Sequence, residues 1–206
     1  MSMSPHNRFL TALKCQQPDR VPIFDFLYSR NLYEHVLGRR PETYNAEDAV
    51  ECAIALGMDA VFIPVGGFSG ISSDKEERLS PSGTYAYTDE WGITYRKEPD
   101  ASWPADAPIG FPIRNREDWR SYSVPDVKRS GRVAGVTTAV KMAGDKLAVI
   151  GGLRGPYTAT WMLVGPENFG LLLYDDPKLL TEIMGRCTEF YIEAGRMMVE
   201  AGVDAL

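Results

Sequence analysis

The residues of this chain that could do chemistry are polar groups delivered by short apolar runs. Asp25 interrupts the run at residues 21–27, and Tyr28 and Arg30 follow it. A carboxylate inside such a run must be hydrogen-bonded or paired if it is buried. Asp59 stands at the head of a second run, residues 60–65, where spacing alone reads as a cap or turn residue. Arg154, Tyr157, Thr158 and Trp161 follow a third run, residues 146–151. Polar groups just beyond parallel strands are where barrel enzymes build active sites, so Asp25, Tyr28, Arg30, Arg154 and Tyr157 are candidate substrate contacts. Tyr157 and Trp161, four apart on a helix, also suit a packed core. The loop Gly66-Gly67-Phe68-Ser69-Gly70 offers backbone N–H groups to an anion. It lacks the lysine and fixed spacing of a P-loop and reads better as a mobile loop. His6 and His35 are isolated and read as surface residues, and no nucleophile–base motif is visible.

Composition narrows the function classes. The 206 residues are 44% hydrophobic and 24% charged, which is ordinary for a folded domain. A net charge of -6 with scattered Lys and Arg gives no footprint for nucleic acid or an anionic membrane. Cys15, Cys52 and Cys187 are odd in number and far apart, so they read as free thiols in a reducing compartment. The first six residues carry no basic or apolar signal region, and no apolar run reaches the ~20 residues that span a bilayer. A cytoplasmic protein is expected.

The elements that position these groups show an internal echo. Leu56-Gly57-Met58-Asp59-Ala60-Val61-Phe62-Ile63-Pro64 returns as Ala201-Gly202-Val203-Asp204-Ala205-Leu206. Each copy follows a helical stretch, places Gly where a helix C-cap needs a left-handed residue, then enters an apolar run. That is the join from helix to strand in a parallel α/β protein. Strands are predicted at residues 21–27, 60–65 and 146–151, and helices at 7–15, 31–37, 45–56, 132–143, 156–163, 166–173 and 177–200. Residues 84–96 alternate around a turn and predict an antiparallel hairpin, followed by a connector carrying Pro99, Pro104, Pro108 and Pro112. Without a Gly-x-Gly-x-x-Gly turn, this order favours a (β/α)8 TIM barrel over a dinucleotide-binding sheet. A complete barrel typically needs about 250 residues, so one barrel domain over 1–206, present in its front part with a hairpin insertion, is expected.

Taken together, these segments resemble the uroporphyrinogen decarboxylase superfamily, which includes the decarboxylase and zinc-dependent methyltransferases that exchange methyl groups with corrinoid proteins. Asn7-Arg8-Phe9-Leu10-Thr11-Ala12-Leu13 followed by Pro18-Asp19-Arg20-Val21-Pro22 is similar to the family's first helix and strand. Asp89-Glu90-Trp91-Gly92-Ile93-Thr94-Tyr95-Arg96 resembles the hairpin of the methyltransferase-like branch, and Gly155-Pro156-Tyr157-Thr158 the turn after a barrel strand.

The resemblance implies that Asp59 occupies the place of the decarboxylase's essential aspartate, which stabilises a cationic pyrrole intermediate. It also implies that Arg30 keeps one arginine of the decarboxylase's first loop while Phe26 replaces the other. A porphyrinogen rich in carboxylates needs bidentate arginine partners, which phenylalanine cannot supply. In the methyltransferase branch a His-x-Cys and a later Cys bind zinc in the second half of the barrel. No zinc is assigned to Cys15, Cys52 or Cys187. Three readings follow. The first is a methyltransferase acting with a partner corrinoid protein as methyl donor and a small-molecule acceptor. The second is a cofactor-free uroporphyrinogen decarboxylase. The third is a non-catalytic half-barrel that binds another subunit, and a homo-oligomer is compatible with all three.

Overall fold

The computed structural model describes residues 2–65, 72–78, 85–97 and 107–206, with backbone alone over 72–78 and at 85 and 97. The described chain forms two compact units. One comprises the described residues within 1–68, 130–153 and 195–206; the other comprises those within 69–129 and 154–194.

The first unit holds a parallel sheet and its helices. Helix α1 (Pro5–Leu13) takes its N-cap from Ser4, whose Oγ accepts the Asn7 N–H at 3.2 Å. Helix α2 (Arg30–Leu37) stops at Gly38, which adopts φ +70. Helix α3 (Ala46–Ala55) is capped by Asn45, whose side chain accepts the Asp48 N–H, and carries Glu47 and Asp48 in its first turn, where the macrodipole favours them. Strand β1 (Ala60–Pro64) follows. Helix α5 (Ala134–Ala143) and strand β6 (Ala148–Gly152) come later in the chain. β1 and β6 pair in parallel from Ala60↔Ala148 to Pro64↔Gly152, and β6 continues to Ala205 through a parallel bridge at Ile150. Val50, Ala53, Val61, Ile63, Val136, Ala139, Val149 and Met198 are buried in this unit.

The expected strand over residues 21–27 does not form. That segment is extended, and among the described residues its backbone meets β1 only where the Asp59 N–H donates to the Ile23 carbonyl at 2.8 Å. Pro22 has no N–H to offer a ladder, and the Asp59 carboxylate, not a strand carbonyl, takes the Ile23 N–H. Val21 is 82% exposed, Ile23 52% and Phe26 48%, so the run is not the buried one its composition suggested. Asp25 is accordingly exposed and accepts the neighbouring Phe26 N–H at 2.7 Å.

The second unit is built on an antiparallel sheet in the order β2 (Ser72–Arg78), β3 (Tyr85–Asp89), β4 (Thr94–Lys97), β5 (Ala107–Gly110). The predicted hairpin is β3 with β4, in register Tyr87↔Tyr95 and Thr88↔Thr94. Around it are α4 (Arg116–Ser121), α6 (Pro156–Val164), α7 (Pro166–Asp175) and most of α8 (Pro177–Glu200). Three of these helices begin with Pro at the first turn, where its missing N–H costs nothing. Trp91 packs edge-on against Phe190 and stacks on Tyr191. The glycine-rich loop at 66–70, Pro99 and Pro104 lie outside the described residues. Among those described, no helix is long and apolar enough to cross a membrane.

Candidate functional site

The duplicated motif ties the first unit together through paired hydrogen bonds. Both copies end their helix with a left-handed glycine, Gly57 at φ +69 and Gly202 at φ +96. Met58 N–H returns to the Ala53 carbonyl and Val203 N–H to the Met198 carbonyl, the long bond of a Schellman cap. Each aspartate then clasps one residue of a neighbouring segment twice, Asp59 in the extended stretch before α2 and Asp204 in β6. Asp59 N–H donates to Ile23 O at 2.8 Å while Asp59 Oδ2 accepts Ile23 N–H at 2.7 Å. Asp204 N–H donates to Val149 O at 2.9 Å while its Oδ2 accepts Val149 N–H at 2.8 Å.

Helix α1 supplies a side chain to each clasp. Arg8 Nη1 donates to Asp59 Oδ1 at 2.5 Å, and His6 Nε2 lies 2.9 Å from Asp204 Oδ1. Arg20 adds a second cation to Asp59, 2.9 Å from Oδ2, and Asp19 holds Arg8 from the other side. The Arg8 hydrogen bond drives the Asp19 carboxyl well below the usual carboxylate range, and the Asp19 and Asp59 carboxylates raise Arg8 in return. Asp59 is fully buried with both oxygens committed, and it sits at the starting end of β1. Barrel chemistry belongs at the opposite end. His6, read from the sequence as an isolated surface residue, is instead a half-buried partner of Asp204. Its signal was the repeat itself: two aspartates in one context invite a search for two partners.

At the far end of β1 the first unit gathers aromatic rings. Phe62 meets Phe26 edge-on at 4.8 Å, Phe26 stacks on Tyr28 at 5.3 Å, and Phe24 meets Phe26 at 5.5 Å. The Tyr44 hydroxyl holds the Phe62 carbonyl at 2.6 Å. A Cβ at Gly152 would run into the Phe62 ring, so glycine there lets the ring lie across the neighbouring strand. Burial pushes the Tyr28 hydroxyl up to about 12, which keeps it a neutral donor. Arg30 opens α2. Sequence reasoning found Tyr28 but missed Phe62, which read there only as a strand residue, and Gly152, which fell just past the end of the predicted strand.

Arg154 and Tyr157 fall in the second unit. Tyr157, in the first turn of α6, is 60% exposed and touches Phe169 edge-on, so it is not the core residue that its spacing with Trp161 allowed. Arg154, two residues past the end of β6 in the chain, acts electrostatically on Asp89 and Tyr95 of the hairpin. Burial pushes the Asp89 carboxyl up to about 6 and the Tyr95 hydroxyl well above its ordinary value.

A zinc site needs thiolates or imidazoles in a cluster. Among the described residues no three His, Cys, Asp or Glu side chains come together to hold a metal. Cys52 and Cys187 are buried, and burial raises both thiols, Cys187 to about 11, which opposes the thiolate form that zinc requires. The described residues of this chain do not fit the zinc of the methyltransferase branch.

Comparison with known proteins agrees with this architecture. The family model of uroporphyrinogen decarboxylase (URO-D) matches residues 99–206, just over half of the chain. A solved structure of a methyltransferase from Methanosarcina mazei aligns over 98% of this chain with a TM-score of 0.64 and 21% sequence identity. The chain spans 58% of that protein's length, and at this identity the likeness is one of fold. No curated protein matches the sequence.

Proposed function

Because this chain belongs to the uroporphyrinogen decarboxylase family, we propose that it is part of a (β/α)8 methyltransferase that moves a methyl group from a corrinoid on a partner protein to a thiol or related acceptor. The supporting observation is Phe26. It stands where the resemblance to the decarboxylase calls for an arginine, and it packs into an aromatic wall with Phe24, Tyr28 and Phe62. A wall of this kind offers no bidentate partner to a carboxylate at the Phe26 position, which suits an apolar transfer site better than a porphyrinogen carrying many carboxylates. The name of the structural neighbour from Methanosarcina mazei points the same way.

In this reading Tyr28 donates a neutral hydroxyl to the acceptor and Arg30, at the start of α2 in the same unit, binds an anionic group of it. Asp59 pins the start of β1 and takes no part in the reaction. No step is routed through zinc, which the described residues do not fit.

The test is to incubate the protein with a methylated corrinoid and a thiol, following methyl loss by absorbance and thioether formation by mass spectrometry. Uroporphyrinogen is assayed in parallel. Methyl transfer without porphyrinogen turnover is the expected result. Decarboxylation of uroporphyrinogen by the unmodified protein would overturn the proposal, and neither reaction in a folded protein would return the chain to a binding role.

A further inference from the structure

Helix α7, in the second unit, carries an apolar face that stays exposed among the described residues. Its inward side is set by Phe169 and Leu172, which are buried. At roughly 100° per residue, Glu167, Gly170, Leu171 and Tyr174 fall on the outward side, with Leu173 at its border. Spaced three or four apart, those four are neighbours on the helix surface. Tyr174 is 89% exposed and Leu171 62%, and Leu173 is exposed with them. Tyr157 of α6, laid edge-on against Phe169, extends the patch. A Cβ built at Gly170 would meet nothing within 4 Å. Glycine inside a helix costs about 1 kcal/mol relative to alanine, and no neighbour among the described residues accounts for it here. A contiguous apolar surface of this kind marks a contact with another molecule.

The charges at the two ends of this face complement each other under a two-fold axis. Glu167 lies in the first turn of α7, Lys178 in the first turn of α8 just beyond the end of α7, and both are exposed. Let a second α7 cross the first antiparallel, with the axis at the level of Leu172. Glu167 of each copy then comes within one residue's rise of Lys178 of the other, and Tyr174 lies level with Gly170 of the other. Both relations occur twice, because a two-fold contact uses the same patch on each side. A parallel pairing would instead set Glu167 against Glu167. Of the remaining charges nearby, Asp176 is committed to Arg116 at 2.8 Å, and Asp175 falls on the flank.

We propose that this face binds a second copy of the chain, α7 packing antiparallel on α7 about a two-fold axis. The Tyr174 ring of each copy fills the open space above Gly170 of the other, which is why a side chain is missing there. Leu171 and Leu173 pack beside the rings, and the Glu167 and Lys178 pairs close both ends. Tyrosine buries roughly 150–250 Å² when fully covered, so the exposed parts of Tyr157, Leu171, Leu173 and Tyr174 supply on the order of 500 Å² per copy. About 1,000 Å² over both copies is the threshold for a specific interface, so the dimer dissociates in the micromolar range. The inference takes nothing from the proposed reaction.

Sedimentation velocity across the micromolar range is expected to show a reversible equilibrium between monomer and dimer. Tyr174→Ser removes the ring twice per dimer and is expected to weaken association about 100-fold. Gly170→Leu puts a good helix former into open space. In dilute solution, where the protein is monomeric, this variant is expected to melt no lower than the unmodified chain, yet it should fail to dimerise. That combination separates the contact from a role in the fold. Glu167→Lys and Lys178→Glu alone are each expected to weaken the dimer by about threefold to tenfold, since each end carries an exposed pair. Joined in one chain, the two reversals are expected to restore it, which only this register does. A protein that stays monomeric throughout, including one whose α7 face is taken by a different partner, would overturn the inference. So would a dimer that Tyr174→Ser or Gly170→Leu leaves intact, or a double reversal no better than either single one.

Discussion

Replacing Asp59 with Asn separates a clasp from a catalyst. The carboxylate accepts from Arg8 Nη1, from the Ile23 N–H and from Arg20 Nη2, has Arg20 Nη1 at 2.9 Å in an ion pair, and is fully buried. Asparagine is nearly isosteric and keeps one acceptor oxygen, but it loses the charge and turns an NH2 group toward a guanidinium. Removing one partner of a buried ion pair typically costs about 3–5 kcal/mol. The cost here is smaller, because Arg8 keeps Asp19 and the Met3 carbonyl, and because Arg20 is 43% exposed. About 2–3 kcal/mol is expected for Asp59→Asn, by that reduction of the buried-pair cost. For a chain of this length that lowers the melting temperature by about 4–12 °C. The assay is thermal unfolding near pH 7, followed by circular dichroism and repeated by chemical denaturation. A variant that melts within about 1 °C of the unmodified protein would refute the clasp, and loss of turnover in so stable a variant would return Asp59 to the chemistry.

Other perturbations read different parts of the fold. The Asp89 carboxyl is raised from 3.8 to about 6 when folded, so the native state holds its proton more tightly than the unfolded chain. Stability then falls as pH rises from about 4 to 6, by about 3 kcal/mol at most, and melting curves of Asp89→Asn over that window should lack the fall. Asp19 and Asp176 act in the opposite sense, being held low by Arg8 and Arg116, and their contribution is lost as pH drops below the ordinary carboxylate range. Gly152→Ala drives a methyl into the Phe62 ring and should cost about 1–3 kcal/mol in denaturant unfolding, with partial recovery on adding Phe62→Leu. His6→Ala removes a pair whose members are each 21% exposed, so its cost should stay below about 1 kcal/mol and well below that of Asp59→Asn.

How far the sequence led depended on the range of the interaction. Helix α8 was readable to its ends, since Pro177 starts it and the chain reaches the Gly202 cap soon after Glu200. β1, β6 and the β3–β4 hairpin were readable from apolar runs and from period-two alternation. Strand β2 was not, because Ser72–Arg78 is almost wholly polar and pairs through its backbone. The run at 21–27 misled for the converse reason: its composition suits a strand, but Pro22 and the Asp59 carboxylate remove the ladder bonds. Of the candidate site, Tyr28 and Arg154 were visible as polar groups beyond apolar runs. The partners that define the clasps lie 51 residues from Asp59 and 198 from Asp204, beyond any local pattern. Asp89 and Tyr95 were seen as a motif, but their burial and their tie to Arg154 come from packing alone.

The two clasps also divide the chain into places that tolerate insertions and places that do not. Each aspartate grips one residue of the neighbouring segment, Ile23 or Val149, by both its N–H and its carbonyl, so alignment between neighbours is settled at their starting ends. One residue inserted between Gly57 and Ala60, or between Gly202 and Ala205, would break the grip and turn the strand's side chains to the opposite face. One residue added after Pro64 or Gly152 disturbs nothing upstream. Loops on that side can lengthen, shorten or change composition while the strands beneath keep their alignment, so a library aimed at new substrates belongs there and should leave Asp59, Asp204, Arg8 and His6 untouched.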